Sequence, residues 1–155
     1  MELIIQKTTE LGVKKIIPVD MKRCVVKLNE KDANKKIERW QKIAEIAAKQ
    51  SKRDYVTRIE NLININKICE RINEYDLFLV AYEDEEETTL KSILKENLKA
   101  KKIGILIGPE GGIDIKEINK LKECGAEIVT LGKRILRTET APIVMSANII
   151  YELEN

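Results

Sequence analysis

The sequence predicts an α/β fold with a mostly parallel sheet flanked by helices, and three observations carry that prediction. Apolar runs of strand length alternate with helical patterns along most of the chain. The run between Asp76 and Tyr82, Leu-Phe-Leu-Val-Ala, is apolar without alternation, as expected of a strand covered on both faces. A second run, Ile103 to Ile107, meets a loop of Gly108, Pro109, Glu110, Gly111 and Gly112 and then a helix-start signal. Strand, glycine-rich turn and capped helix are how an α/β protein presents a small-molecule site at the carboxyl end of its sheet.

Taken in order, Met1 to Leu11 reads as a helix ended by Gly12. A chain that opens inside a helix suggests one domain cut from a longer protein, or a minimal version of it. Ile16-Ile-Pro-Val19 reads as a short strand, with Pro18 at an edge or strand end, and Arg23 to Val26 as a second extended piece. Asp32 to Lys52 is the longest helical pattern. Ile37, Trp40, Ile43, Ala44, Ala47 and Ala48 recur at spacings of three and four, and Lys35, Lys36, Arg39, Lys42, Lys49, Lys52 and Arg53 decorate the other faces. Those cations read either as a solvated surface or as a phosphate-contacting face where Gln50, Ser51 and Arg53 cluster.

Tyr55 to Ile59 is expected as a strand and Asn66 to Ile72 as a helix. After the Asp76–Tyr82 strand, the acidic Glu83 to Glu87 reads as a solvated loop rather than a metal site, since nothing nearby supplies further ligands. Thr88 to Leu98 is a helix. Asp114 is placed to cap the helix from Ile115 to Cys124, with Glu117 completing a capping box, and Gly125 ends it. Ala126 to Leu131 is the next strand, Gly132 to Thr140 an irregular polar stretch, and Ala141 to Leu153 a helix with Pro142 in its first turn. Its apolar face is read as Ile143, Val144, Ala147, Ile150 and Tyr151.

Composition narrows the function. The 155 residues suffice for one domain with a real core. With 28 basic and 26 acidic residues the net charge is +2, so any polyanion site must come from local clustering. Cys24, Cys69 and Cys124 are far apart and in no Cys-x-x-Cys spacing; they read as reduced thiols of a cytoplasmic protein, without disulfide or metal. No apolar run is long enough to cross a membrane. Histidine is absent, which excludes Ser-His-Asp and Cys-His mechanisms and histidine-ligated metals.

The glycine loop lacks the Gly-Lys-Ser/Thr of a P-loop and the Gly-x-Gly-x-x-Gly of a dinucleotide fold, and alone it is a weak signal. The following strand, however, also ends in glycine, at Leu131-Gly132, before a cationic stretch with Arg134 and Arg137. Two neighbouring strand ends with backbone-exposing glycines and a cationic loop make one composite pocket, suited to a ligand with an adenine ring, ribose hydroxyls and a positive centre.

Ile107-Gly-Pro-Glu-Gly-Gly112, Leu131-Gly132 and Arg134-Ile-Leu-Arg-Thr-Glu-Thr-Ala141 resemble the signature segments of the ribosomal RNA uridine-N3 methyltransferase family. That family modifies the small-subunit (16S) RNA and belongs to the SPOUT superfamily. Gln6-Lys7-Thr-Thr-Glu-Leu-Gly-Val13 resembles its N-terminal segment, and Arg39-Trp40 and Gln50-Ser51-x-Arg53 its long-helix motif. The resemblance keeps its order from about Met1 to the end.

It implies a C-terminal deep trefoil knot, a rare exception to the rule that folds are unknotted. It also implies S-adenosylmethionine bent around the backbone of three loops. The matching positions are Leu106, Ile107, Gly108, Glu110, Gly111 and Gly112; Leu131 and Gly132; and Ile135, Leu136, Arg137, Thr140 and Ala141. A homodimer with the C-terminal helix in its interface is implied as well. Full-length members carry an N-terminal PUA-like RNA-binding domain, which these residues lack, so 1–155 is expected to be a single SPOUT domain.

The implied chemistry needs uridine N3 to lose its proton before or during attack on a methyl sulfonium. Without histidine the base is a carboxylate or water, and the anion needs a cation nearby. Arg137 is the candidate for holding the base; the alternative is an ion pair with Glu139. Glu139 is either the proton acceptor through water or a first-turn carboxylate favoured by the helix dipole. Thr140 reads as an N-cap. Glu110 faces the cofactor's amino group or fixes the turn. Gln50, Arg53 and Arg134 are the RNA-side candidates. The competing readings are a non-catalytic RNA-binding or assembly module, a SPOUT enzyme acting at another RNA position, and an unrelated nucleotide-binding protein.

Overall fold

The strand β5 (Leu77–Ala81) is the middle of a three-stranded parallel sheet, with β6 (Ile103–Ile107) on one side and β7 (Glu127–Val129) on the other. Leu77 pairs with Ile103 and Leu79 with Glu127. The computed structural model describes residues 1–154. Side chains on β5 point alternately to opposite faces, and both faces are covered. Phe78 and Val80 pack with Leu106, Ile128, Ile118 and Leu121 beneath α5 (Ile115–Glu123). Leu77 and Leu79 pack with Leu90 and Leu94 of α4 (Leu90–Glu96) and Met145 of α6 (Ala141–Leu153). This double burial is why the run lacks polar alternation. Leu79 is fully buried, and truncating it to alanine is expected to cost about 2–5 kcal/mol.

The chain winds from β5 through α4 to β6, then crosses β5 through α5 to reach β7. The two crossovers therefore run on opposite faces, and the connections after β5 and β6 diverge. Such a divergence opens a crevice at the carboxyl ends of the strands.

The N-terminal part holds two minimal parallel pairs. β1 (Lys15–Ile16) pairs with β3 (Arg58–Ile59), and β2 (Val19–Asp20) with β4 (Ile63–Asn64). The strand expected over Ile16–Val19 is split at Pro18, which has no N–H to donate but whose carbonyl accepts from Ile63 N at 3.1 Å. Arg23 to Val26 is not extended; it forms a turn with Val25 and Val26 exposed. Tyr55 lies in a bend, and only Arg58–Ile59 of its expected strand is one, while β4 went unseen because two residues give no period. Two helices pack here, α1 (Glu2–Glu10) and α2 (Glu30–Gln50). Ile5, Trp40, Ala44 and Ile59 form their shared core. Asn29 caps α2 by accepting from Asp32 N at 2.9 Å, so the helix starts at Glu30, two residues upstream of the expected Asp32. The helix α3 (Ile65–Arg71), capped by Asn64, lies beside α5.

The helix α6 differs from its expected face. Its inward side is Met145, Ser146, Ile149 and Leu153, while Ile143, Val144, Ala147 and Ile150 stay half-exposed and Tyr151 is exposed. The helix is apolar nearly all round, so spacing alone could not tell the inner face from the outer. The cysteines are free. Burial and the neighbouring Cys124 push the Cys69 thiol up to about 12, which keeps it protonated and unreactive. Among the described residues no helix is long and apolar enough to cross a membrane.

Candidate functional site

Three loops leave the carboxyl ends of β6, β5 and β7. The first follows Ile107. Gly112 has φ +72°, and a side chain there would run into the Glu83 carboxylate. Gly111 lies against Arg23, whose carbonyl oxygen would sit 3.1 Å from an added Cβ. The Arg23 guanidinium donates from Nη1 to the Gly111 carbonyl at 3.2 Å. The loop is thus read from outside by a turn that the sequence assigned to a strand.

The same turn explains the start of α5. Asp114 accepts from Lys116 N at 3.1 Å and pairs with Lys22 Nζ at 2.8 Å. The Lys22 ammonium, then the Lys116 N–H, hold the Asp114 carboxyl below the usual carboxylate range. Glu117 does not close the expected capping box. Its Oε1 accepts from the backbone N of Lys22 at 2.9 Å, tying the turn to the helix across 95 residues of sequence.

The second loop follows β7. Thr130 N donates to Thr88 O at 2.8 Å and Leu90 N to Thr130 O at 3.2 Å, so the chain ahead of α4 continues the pairing of β7. Gly132 has φ +112°, donates to Thr130 Oγ1 at 3.2 Å, and has no heavy atom within 4 Å of where a Cβ would lie. Its backbone faces open space. Beyond it, Ile135 is 87% exposed, Leu136 is half-buried and Arg134 is exposed without an ion pair among the described residues. Arg137 Nη1 lies 4.0 Å from Glu139 Oε1, with the arginine side chain 86% exposed. So exposed a pair holds little, about 0–1 kcal/mol, and leaves the guanidinium available. Thr140 is not a side-chain cap. The Arg137 carbonyl accepts from Thr140 N and Ala141 N at 2.9 and 3.0 Å and starts the helical turn itself.

The strand order changes one expectation. β6 and β7 are not neighbours; β5 lies between them, so their ends stand about 10 Å apart, two strand spacings. The composite pocket needs the third loop, which follows β5. Here Glu85 accepts from Glu87 N at 3.0 Å and Thr88 N at 2.9 Å, and Tyr82 Oη donates to Asp84 at 2.9 Å. Glu83 is the member set against Gly112. The acidic stretch is a mostly exposed loop, as expected, and Glu83 adds its carboxylate to the candidate site. The signal was present: in a parallel sheet every strand delivers its following residues to the same edge, and Glu83 comes two residues after β5.

Of the other expected positions, Leu106 is buried in the core, so only its backbone can face a ligand. Ile107 and Leu131 are half-buried, Ala141 is buried, Gly108 packs on Ile113, and Glu110 is exposed without a hydrogen bond among the described residues. Arg53 does not project as a free cation. Its guanidinium stacks on Tyr55 at 5.2 Å, donates to Tyr55 Oη at 3.0 Å and lies against Gly12, whose carbonyl accepts from Tyr55. Gln50 is exposed at the end of α2. A separate cleft of about 310 Å³ opens beside α3 and α5, but its Lys22 and Lys120 are tied to Asp114 and Asn66, and it holds none of the glycines. Among the described residues no cluster of His, Cys, Asp and Glu is arranged to hold a metal ion.

The arrangement is an edge of exposed backbone donors and acceptors, with the Glu83 carboxylate set against Gly112 and the Arg137 guanidinium exposed, suited to an uncharged or cationic nucleoside-like ligand. Residues 1–150 match the family model of the RNA methyltransferase domain. The chain is 41% identical over 158 residues to ribosomal RNA small subunit methyltransferase E of Bacillus subtilis (strain 168), covering 99% of this chain and 62% of that one. It is 36% identical over 151 residues to the protein of the same name from Mesomycoplasma hyopneumoniae (strain 232), covering 97% and 64%. The crystal structure of ribosomal RNA small subunit methyltransferase E from Neisseria gonorrhoeae, bound to S-adenosyl methionine, superposes with a TM-score of 0.88 at 34% identity, covering 97% of this chain and 60% of that one. The chain thus spans less than two thirds of the length of these relatives.

Proposed function

The chain belongs to the RNA methyltransferase domain family, and from that premise we propose that it transfers a methyl group from S-adenosylmethionine to N3 of a uridine in 16S ribosomal RNA. The observation that carries the proposal is the open backbone at Gly132, joined to the left-handed Gly112 and the Glu83 carboxylate along one sheet edge. Those groups fit the cofactor's chemistry. Glycines let a flat ring and ribose lie on the main chain, and a carboxylate suits hydroxyl or ammonium donors and the field of a sulfonium. Bound there, S-adenosylmethionine supplies an electrophilic methyl group.

The residues that would hold it are Ile107 to Gly112, Leu131 and Gly132, and Ile135 to Ala141, largely through backbone atoms, with Glu83 added from the β5 loop. Arg137 orients the target base and offsets the charge that develops on its oxygens when N3 loses its proton. Its exposure in the single chain leaves it able to reach an incoming nucleotide. Glu139, next to it, accepts the N3 proton through water. Arg134 and Gln50 meet the RNA. Arg53, held by Tyr55, serves the packing of the α1 end first, and its RNA contact is through the exposed edge of the stack.

In this reading the C-terminal segment from Gly132 to α6 forms a trefoil knot. The half-exposed apolar side of α6, with Ile143, Val144, Ala147 and Ile150, supports a homodimer through that helix. Residues 1–155 form a single SPOUT domain in the same reading. The test is methyl transfer to protein-free 16S RNA and to small subunits lacking the modification, followed by nucleoside mass analysis. N3-methyluridine is expected. Methylation of ribose, or of another base, would leave the cofactor site standing and overturn the uridine assignment.

A further inference from the structure

The chain's small net charge hides a strong local one. Residues 31–58 hold nine lysines and arginines against four aspartates and glutamates, while the rest of the chain holds nineteen against twenty-two. Most of the nine lie on α2, and their placement is ordered. Its buried stripe is Ala33, Trp40, Ala44, Ala47 and Ala48. Lys35, Lys42 and Lys49 recur every seven residues on the opposite side and are all exposed. At 100° and 1.5 Å per residue they form a nearly straight line of about 21 Å on the solvent face.

The lysines of the line are also unpaired among the described residues, a property they share with Lys91 and Lys95 of α4. Lys15, Lys22, Lys27, Lys67 and Lys102 all lie in ion pairs. Lys35, Lys42 and Lys49 are in none among the described residues, and the one paired cation of the helix, Arg39, reaches Glu2 at 2.9 Å. Glu38 and Glu45 stand one turn before Lys42 and Lys49 on the flank of the line, yet form no ion pair with them among the described residues, so the ammonium groups face solvent. A polyanion laid along them gives each ammonium a phosphate partner and releases its own counterions.

We infer that the Lys35–Lys42–Lys49 line of α2 is a docking surface for the phosphate backbone of RNA. The inference rests on the proposed function, and it gives the substrate a binding track on this chain outside the cofactor edge. The track is sequence-independent: lysines on phosphates position an RNA and leave the choice of base to the cofactor edge. α1 packs against both α2 and α6, so the track stands one helix away from the segment that carries Arg137.

The test compares the wild-type chain with a Lys35→Gln, Lys42→Gln, Lys49→Gln triple variant and with a Lys91→Gln, Lys95→Gln, Lys99→Gln control of equal charge change. Binding to a twenty-nucleotide oligouridylate and to protein-free 16S RNA is followed between 50 and 200 mM salt, beside S-adenosylmethionine titration and thermal melting. Three phosphate contacts account for a salt slope of about 2 on a log–log plot. The α2 variant is expected to lose about that much slope and at least tenfold in affinity at the lowest salt, with melting and cofactor binding unchanged. The control is expected to keep most of both. Equal losses in the two variants, or unchanged RNA binding in the α2 variant, would overturn the inference; in the latter case a solvated face or an acidic protein partner accounts for the line. Failure of the wild type to methylate RNA while the α2 variant still loses binding would count against the proposed function alone.

Discussion

Gly112→Ala perturbs the site with the least change in volume, and the structure gives its size. Gly112 sits at φ +72°, where an L-residue costs about 1–2 kcal/mol more than glycine. The new Cβ also meets the Glu83 carboxylate, but that is the end of a flexible side chain and can swing away cheaply. The strain can appear in either of two places. If the loop keeps its conformation, the folded state loses about 1–2 kcal/mol, a fall in melting temperature of about 2–8 °C for a domain of this size. If the loop relaxes to a right-handed conformation, stability is retained and the ligand must restore the original one, weakening S-adenosylmethionine by about 5- to 30-fold. Calorimetric titration and thermal melting on the same sample read both. A variant unchanged in melting and in affinity would refute the left-handed geometry together with its role as a cradle. A lowered melting temperature with unaltered affinity would place the cofactor elsewhere.

Arg137→Ala is expected to leave the melting temperature and S-adenosylmethionine affinity near wild type, since the side chain is exposed and its pair with Glu139 is long, while methyl transfer falls by at least tenfold; an equal fall in cofactor binding would assign it to the cofactor instead. Glu60 carries two cations, Arg71 at 2.8 Å and Lys15 at 2.9 Å. Burial raises its carboxyl, but the Arg71 and Lys15 hydrogen bonds outweigh that and the net shift is downward. A depressed folded-state value means stabilisation present above the unfolded pKa of about 4.3 and lost as pH falls through the folded one. Glu60→Gln should therefore cost about 1–2 kcal/mol at pH 7 and progressively less toward pH 3, which melting curves across that range check. Tyr55→Phe removes the hydroxyl that holds Gly12 and Arg53 and should destabilise by about 1 kcal/mol; if RNA affinity also drops more than threefold, Arg53 contacts RNA directly.

How much could be read from the sequence depended on how many residues shared one period. The β5 and β6 runs, each of five residues, and the long α2 stripe announced themselves, and the fold class followed. The four two-residue strands carried no period, and Pro18 and the Met21–Cys24 turn act through long-range contacts that no window of sequence contains. Glu117 is an example. Its spacing from Asp114 suits a capping box, yet the backbone of Lys22 claims its carboxylate. For α6 the composition was legible and the orientation was not, because an all-round apolar helix has no preferred face until the sheet supplies one.

At the site, the glycines at 108–112 and at 132 were identified from strand-then-glycine order, and the structure sets them on one sheet edge. Glu83 is not legible from strand-then-glycine order, which makes β6 and β7 look adjacent while β5 lies between them. Placing β5 between them requires knowing that the chain crosses back over its own first strand, a tertiary fact. Arg53 was drawn toward RNA by its charge, whereas its stack on Tyr55 is set by a bend that charge counting does not register.

The most direct test of the account is calorimetric titration of S-adenosylmethionine into the wild-type chain, folded as judged by its melting curve. Saturable binding of one cofactor per chain, weakened in Gly112→Ala, is the expected result. A cooperatively folded chain that gives no heat and no thermal shift with the cofactor would contradict the claim that this sheet edge is a methyl-donor site.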